Sequence, residues 1–168
     1  MEGLTITVDG REWRSEVPTQ LTAPGVPFST ITLAVGDYAV GGRAIEHKTV
    51  ADLHSSLVDR RLWSQLAALR RDLRRAYVLV EGDDLDDRPV PTRAVSGALL
   101  EILDNRIRLL RTPSPEETAP WLTVLARQEQ RFLRLSGGSL ARSRAPSSKR
   151  ASPEESASPA RAGRNRGT

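Results

Sequence analysis

GDYAVGGRAIEHKTVAD, residues 36–52, is the stretch whose reading decides the fold. Val40-Gly41-Gly42-Arg43 carries the glycine pair of a tight hairpin turn between two extended segments. GRAIEHK (42–48) reads as a strand, and PFSTITLAV (27–35) as the strand before it. Side chains alternate across a strand, so Glu46 and Lys48 share one face and His47 takes the other. Asp37 then lies just past the end of the earlier strand, where a hairpin brings it towards Glu46. The chain holds 23 arginines and two lysines, and one of the two is Lys48. An ammonium is a compact charge whose pKa can move, whereas a guanidinium is planar and always protonated.

Outward from this stretch the chain alternates in type. LTITV (4–8) is a short β-branched strand, and residues 15–23 form a short helix. Residues 49–58 and 61–75 read as two helices, the second with an apolar stripe of Leu62, Trp63, Leu66 and Leu69. AYVLVEG (76–82) is nearly all apolar, as in a strand buried on both faces. An acidic loop, GDDLDDRPVP, follows and is expected to be solvated. A helix over 92–104, a strand over 106–111 and a helix from Ser114 to about Leu135 complete the body. The fold class is α/β, with early antiparallel strands and later strands joined through helices.

The 168 residues suit one domain, 1–135, with an appendage at 136–168. The appendage is Ser, Ala, Arg, Pro and Gly with little apolar content, and is expected to be disordered. It holds seven Lys/Arg against two Asp/Glu, while residues 1–135 hold 18 against 19. The basic character therefore belongs to the tail, as a solubilising segment or a phosphate-binding arm. A nucleic acid would meet the folded part through local clusters of charge. No apolar run approaches a membrane span and no secretory signal opens the chain, so no membrane partner is expected. With no cysteine, the expected setting is cytoplasmic, and nucleoid-associated if bacterial.

Asp37 and Glu46, joined by Asp9 if the first strand is a neighbour, would repel one another. At ~4 Å and an effective dielectric near 20, each pair costs about 4 kcal/mol. Such a cluster calls for protons or a hard cation, and oxygen ligands suit Mg²⁺ or Mn²⁺. A carboxylate-held divalent ion beside a lysine is equipped for phosphodiester hydrolysis. Isolated D…ExK spacing also arises by chance, and a Glu–Lys pair on a strand is also met as a solvated pair. Asp52 has a second role open to it, since Thr49-x-x-Asp52 is a capping-box spacing. Asp9 could merely close a turn, Glu12 could be a second carboxylate or a surface charge, and His54 is expected to face solvent.

The same residues resemble the nuclease domain of the xeroderma pigmentosum F (XPF) and Mus-type structure-specific endonucleases, within the PD-(D/E)xK superfamily. That pattern, GDxn-(V/I)ERKx3D, is met by Gly36-Asp37, Ile45-Glu46, Lys48 and Asp52. Val8-Asp9-Gly10-Arg11-Glu12 resembles VDxRE, and Arg61-Leu62 with Gln65 resembles its R-L-x-x-Q helix. Tyr77–Gly82 and Glu117-Thr118-Ala119 extend the likeness, which covers about residues 4–135. It implies a restriction-endonuclease-like mixed sheet flanked by helices. It implies metal ligation by Asp37, Glu46 and the main-chain carbonyl of His47, with Lys48 acting on the attacking water. Asp9 and Asp52 would support the metal or its waters, and Arg11, Arg61 and Gln65 would contact DNA or the site. The implied substrate is branched or flapped DNA, with a homodimer or partner subunit. Two departures stand out: His47 replaces an arginine, and a basic tail replaces the usual tandem helix-hairpin-helix domain. A DNA-binding module without turnover, or a pairing subunit, are the alternatives.

Overall fold

The hairpin forms, but from a different first strand. In the computed structural model, which describes residues 5–22, 27–72, 75–85 and 90–135, the turn at Gly41-Gly42 joins β3 (Tyr38–Val40) to β4 (Arg43–Thr49). Tyr38 lies opposite Ile45 and Val40 opposite Arg43 in an antiparallel ladder. The expected strand over 27–35 shortens to β2 (Phe28–Ile31), an edge strand parallel to β1 (Ile6–Asp9). Its end has a cause: the Leu33 N–H donates to Asp9 Oδ2 at 2.7 Å, which takes the chain out of the ladder. Residues 32–37 then cross to start β3, so Asp37 precedes a strand instead of following one.

Six described strands form one sheet in the order β2-β1-β3-β4-β5-β6. β5 (Arg75–Glu81) lies parallel to β4, and β6 (Arg108–Thr112) parallel to β5. The other elements are a 3₁₀ turn (Gly10–Arg14), α1 (Val17–Leu21), α2 (Val50–Val58), α3 (Arg61–Asp72), α4 (Thr92–Asp104) and α5 (Pro115–Leu135). The mixed α/β architecture expected from the sequence is thus present. Residues 136–168 and the middle of the acidic loop, 86–89, lie outside the described residues.

Two apolar layers sandwich the sheet. Val78 and Val80 pack with Leu53 of α2, Leu62, Leu66 and Leu69 of α3, and Ile102 of α4. Tyr77 and Leu79 face the other way, against Leu21 of α1 and Leu122 and Leu125 of α5. β5 alternates between two buried faces, as its apolar run predicted. Each fully buried leucine contributes about 1.5–3 kcal/mol. Trp63, expected in the stripe of α3, is 42% exposed. Among the described residues no helix is long and apolar enough to cross a membrane.

Candidate active site

Gly36 makes the site possible. Its φ is +78°, a left-handed conformation that an L side chain resists, and a Cβ there would meet the Ile45 carbonyl oxygen at 3.1 Å. The turn it allows lets Asp37 N–H donate to the Ile45 carbonyl at 2.9 Å and the Asp37 carbonyl accept from Asp9 N–H at 2.8 Å. Asp37 is thereby tied to both β4 and β1. Its Oδ2 accepts the main-chain N–H of His47 at 2.8 Å.

Glu46 lies on β4, nine residues later, and is buried. Its Oε1 accepts from Gln65 Nε2 of α3 at 2.8 Å and lies 3.3 Å from Lys48 Nζ. The alternation of β4 thus puts Glu46 and Lys48 together, and the ammonium, whose side chain is only 6% exposed, turns inward. Asp37, Glu46, Gly36, Gln65 and Arg11 line one cleft of about 300 Å³. Burial, with the charges of Glu46 and Glu12, pushes the Asp37 carboxyl up to about 7 despite the bond from His47. Asp37 therefore holds its negative charge in the cleft only against burial and the neighbouring carboxylates.

Among the described residues no three acidic or histidine side chains gather into a metal cage. A cation here would draw on two carboxylates and complete its shell from the main chain and water, which suits an ion that keeps several waters. Gln65 Oε1, buried and without a protein partner, is a further acceptor at the edge of the cleft. The donor set is all oxygen and fits a hard divalent ion.

The remaining predicted residues divide. Asp9 is fully buried beside Asp37, yet its carboxylate accepts from Arg11 N–H at 2.9 Å, Arg11 Nε at 2.7 Å and Leu33 N–H at 2.7 Å. The Arg11 guanidinium holds that carboxyl down to about 2. Asp9 therefore builds the loop around the cleft and carries Arg11, which is 75% exposed at its rim. Asp52 is exposed and serves α2: Thr49 Oγ1 accepts its N–H at 3.1 Å and donates to its Oδ2 at 2.6 Å. Arg61 stands exposed on the first turn of α3, paired with Asp59 at 3.2 Å.

His54 corrects the surface expectation. It is buried, and Nε2 donates to the Leu85 carbonyl at 2.8 Å, tying α2 to the loop after β5. Glu12 is neither a second ligand nor a bare surface charge. It accepts from Tyr38 Oη at 3.1 Å and lies 2.7 Å from His47 Nδ1. On the far side of the ring, Nε2 is 3.2 Å from Glu81 Oε2, too poorly aligned for a hydrogen bond but close enough for strong charge attraction. Burial lowers the affinity of His47 for a proton, and the two carboxylates outweigh it, raising the imidazole to about 9. Burial likewise opposes ionisation of Glu81, but the nearby His47 ring and the bond from Thr118 keep its pKa below the usual value. Sequence reading missed Tyr38 and Glu81 as partners here. The available signal was that a charged Glu81 closes the apolar run of residues 76–80.

A model of the ERCC4 domain matches residues 8–125 of this chain, well over half its length. The chain belongs to the ERCC4 family. Among its relatives, the DNA repair endonuclease XPF of Mus musculus is 38% identical over 128 residues, 68% of this chain and 14% of that protein. The 3'-flap repair endonuclease Xpf of Saccharolobus solfataricus is 31% identical over 131 residues, 76% of this chain and 56% of that one. The chain thus spans only part of the relatives it matches. The structure of XPF from Aeropyrum pernix in complex with DNA superposes with a TM-score of 0.68 at 34% identity, covering 77% of this chain and 66% of that one. The mixed sheet with flanking helices is therefore the nuclease fold of the XPF proteins, as the resemblance implied.

Proposed function

We propose that this ERCC4-family chain is a metal-dependent DNA endonuclease that hydrolyses phosphodiesters in branched or flapped DNA during repair or recombination. The observation that carries this reading is the meeting of Asp37 and Glu46 in one cleft, with the Lys48 amine 3.3 Å from Glu46. The names of the relatives support the reaction and the flapped substrate, and the Aeropyrum complex supports DNA as partner.

Asp37, Glu46 and the His47 carbonyl would hold Mg²⁺ or Mn²⁺, which when bound supplies an activated water and draws charge from the scissile phosphate. Gln65 fixes the Glu46 carboxylate at the wall of the cleft. Lys48 would orient the attacking water or, as the free amine, take its proton, or donate a hydrogen bond to a phosphate oxygen as charge develops there. Asp9 holds Arg11 at the rim, where its guanidinium can meet a neighbouring phosphate. Arg61, paired with an exposed aspartate, can exchange that partner for phosphate.

A homodimer or partner subunit accompanies this reading. α4 and α5 both contact the edge strand β6, and they expose Leu100, Leu103, Trp121 and Val124. A second chain covering them would remove that apolar area from water. Light scattering that finds a monomer at all concentrations, with cleavage intact, would dismiss the partner.

The deciding experiment is a panel of labelled flap, fork, junction and linear duplex with Mg²⁺, Mn²⁺ or chelator. Metal-dependent cuts in the branched substrates are expected. Lys48→Ala should abolish them while binding stays within a few-fold. One observation favours a second reading, a DNA-binding module without turnover: His47 stands where the related pattern has arginine. Gel retention with no product under any metal would select it.

A further inference from the structure

His47 turns its side chain away from the cleft, yet its main chain belongs to the cleft. Its N–H holds Asp37 Oδ2, and its neighbours on β4 are Glu46 and Lys48. On the hidden face the ring lies between two carboxylates from two further elements, Glu12 of the 3₁₀ turn at 2.7 Å and Glu81 of β5 at 3.2 Å. Each carboxylate is itself fixed. Tyr38 Oη donates to Glu12 at 3.1 Å, and Thr118 Oγ1 of α5 donates to Glu81 Oε2 at 2.6 Å, with Thr112 Oγ1 2.7 Å from Thr118.

We propose that Glu12 and Glu81 are positioning residues that clamp the His47 side chain from two sides and so set the β4 main chain that holds Asp37 and Glu46 at one ion, with Lys48 beside it. The proposal rests on the nuclease reading above. Stability alone does not explain the arrangement, because well-packed apolar residues of similar volume often replace buried ion pairs without loss. What the two carboxylates add is direction. Charge-assisted contacts on both edges of one ring resist its rotation, and the ring is bonded to the peptide that Asp37 grips. Outer partners of this kind orient first ligands in metal sites generally.

The clamp requires a side chain that can meet a carboxylate at each of two separate edges. Arginine meets that requirement and glutamine does not. The test measures Mn²⁺ affinity by electron paramagnetic resonance on the full chain without DNA, for wild type, His47→Arg, His47→Gln and Glu12→Gln, with thermal melts alongside. His47→Gln and Glu12→Gln should weaken Mn²⁺ binding by about tenfold or more. His47→Arg should retain wild-type affinity. Should His47→Gln fail to fold, Glu12→Gln still decides, since Glu12 is partly exposed and loses its charge alone. Variants that melt earlier but bind Mn²⁺ like wild type would overturn the clamp and leave the nuclease reading intact. A wild-type chain that binds no Mn²⁺ would overturn the metal site, and the clamp with it.

Discussion

Asp37 sets a conflict between stability and function. Its carboxyl keeps a proton up to about pH 7 in the folded chain, against an ordinary value of 3.8. The folded state then binds more protons than the unfolded one between pH 4 and 7, so metal-free stability falls as pH rises through that window. The full shift is worth ~4 kcal/mol, and solvent reaching a partly exposed carboxylate trims it to about 2 kcal/mol. Asp37→Asn should therefore melt higher than wild type at pH 8 without metal, and calorimetry across pH checks it. Added Mn²⁺ should raise the melting temperature of wild type and leave Asp37→Asn unmoved. The pairing of Glu46 with Lys48 was legible in the sequence because period-two alternation needs only the strand. The partners of His47 and His54 were not legible, because they come from residues 31 to 35 positions away, and local spacing carries no record of such meetings.

At the scale of elements, helices with strong caps were read well and the first hairpin was not. Thr49 ends β4 and caps α2, accepting the Asp52 N–H. Thr49→Ala should cost ~1 kcal/mol, seen as a lower denaturation midpoint with an unchanged slope. The segment 27–35 is rich in apolar and β-branched residues, and no glycine or proline between Phe28 and Val35 marks the break after Ile31. The break comes from Asp9, which captures Leu33 N–H from a different strand. Gly36 then reverses the chain. Gly36→Ala should strain that turn by 1 kcal/mol or more, an order-of-magnitude figure for a left-handed backbone carrying a side chain. Cleavage should fall further than melting temperature does, because the same turn aims Asp37.

Across the whole molecule, the end of the sheet remote from the cleft is fastened by α5. Glu129 is buried and accepts from Arg43 Nε at 2.7 Å and Arg75 Nη1 at 3.1 Å, while Arg75 stacks 4.3 Å over the Phe132 ring. Glu129→Ala would leave Arg43 buried without its counter-charge, at a cost of about 3–5 kcal/mol. A fall in melting temperature of about 10 °C or more should follow. The Glu129 side chain also lies so close that a Cβ on Gly41, at the tip of the β3–β4 ribbon, would meet its Cγ at 2.8 Å. The family match stops at residue 125, four positions short of this anchor. Trimming the gene to the matched span would keep every cleft residue and discard the rivet at the ribbon's tip, leaving the start of β4 to its neighbouring strands alone.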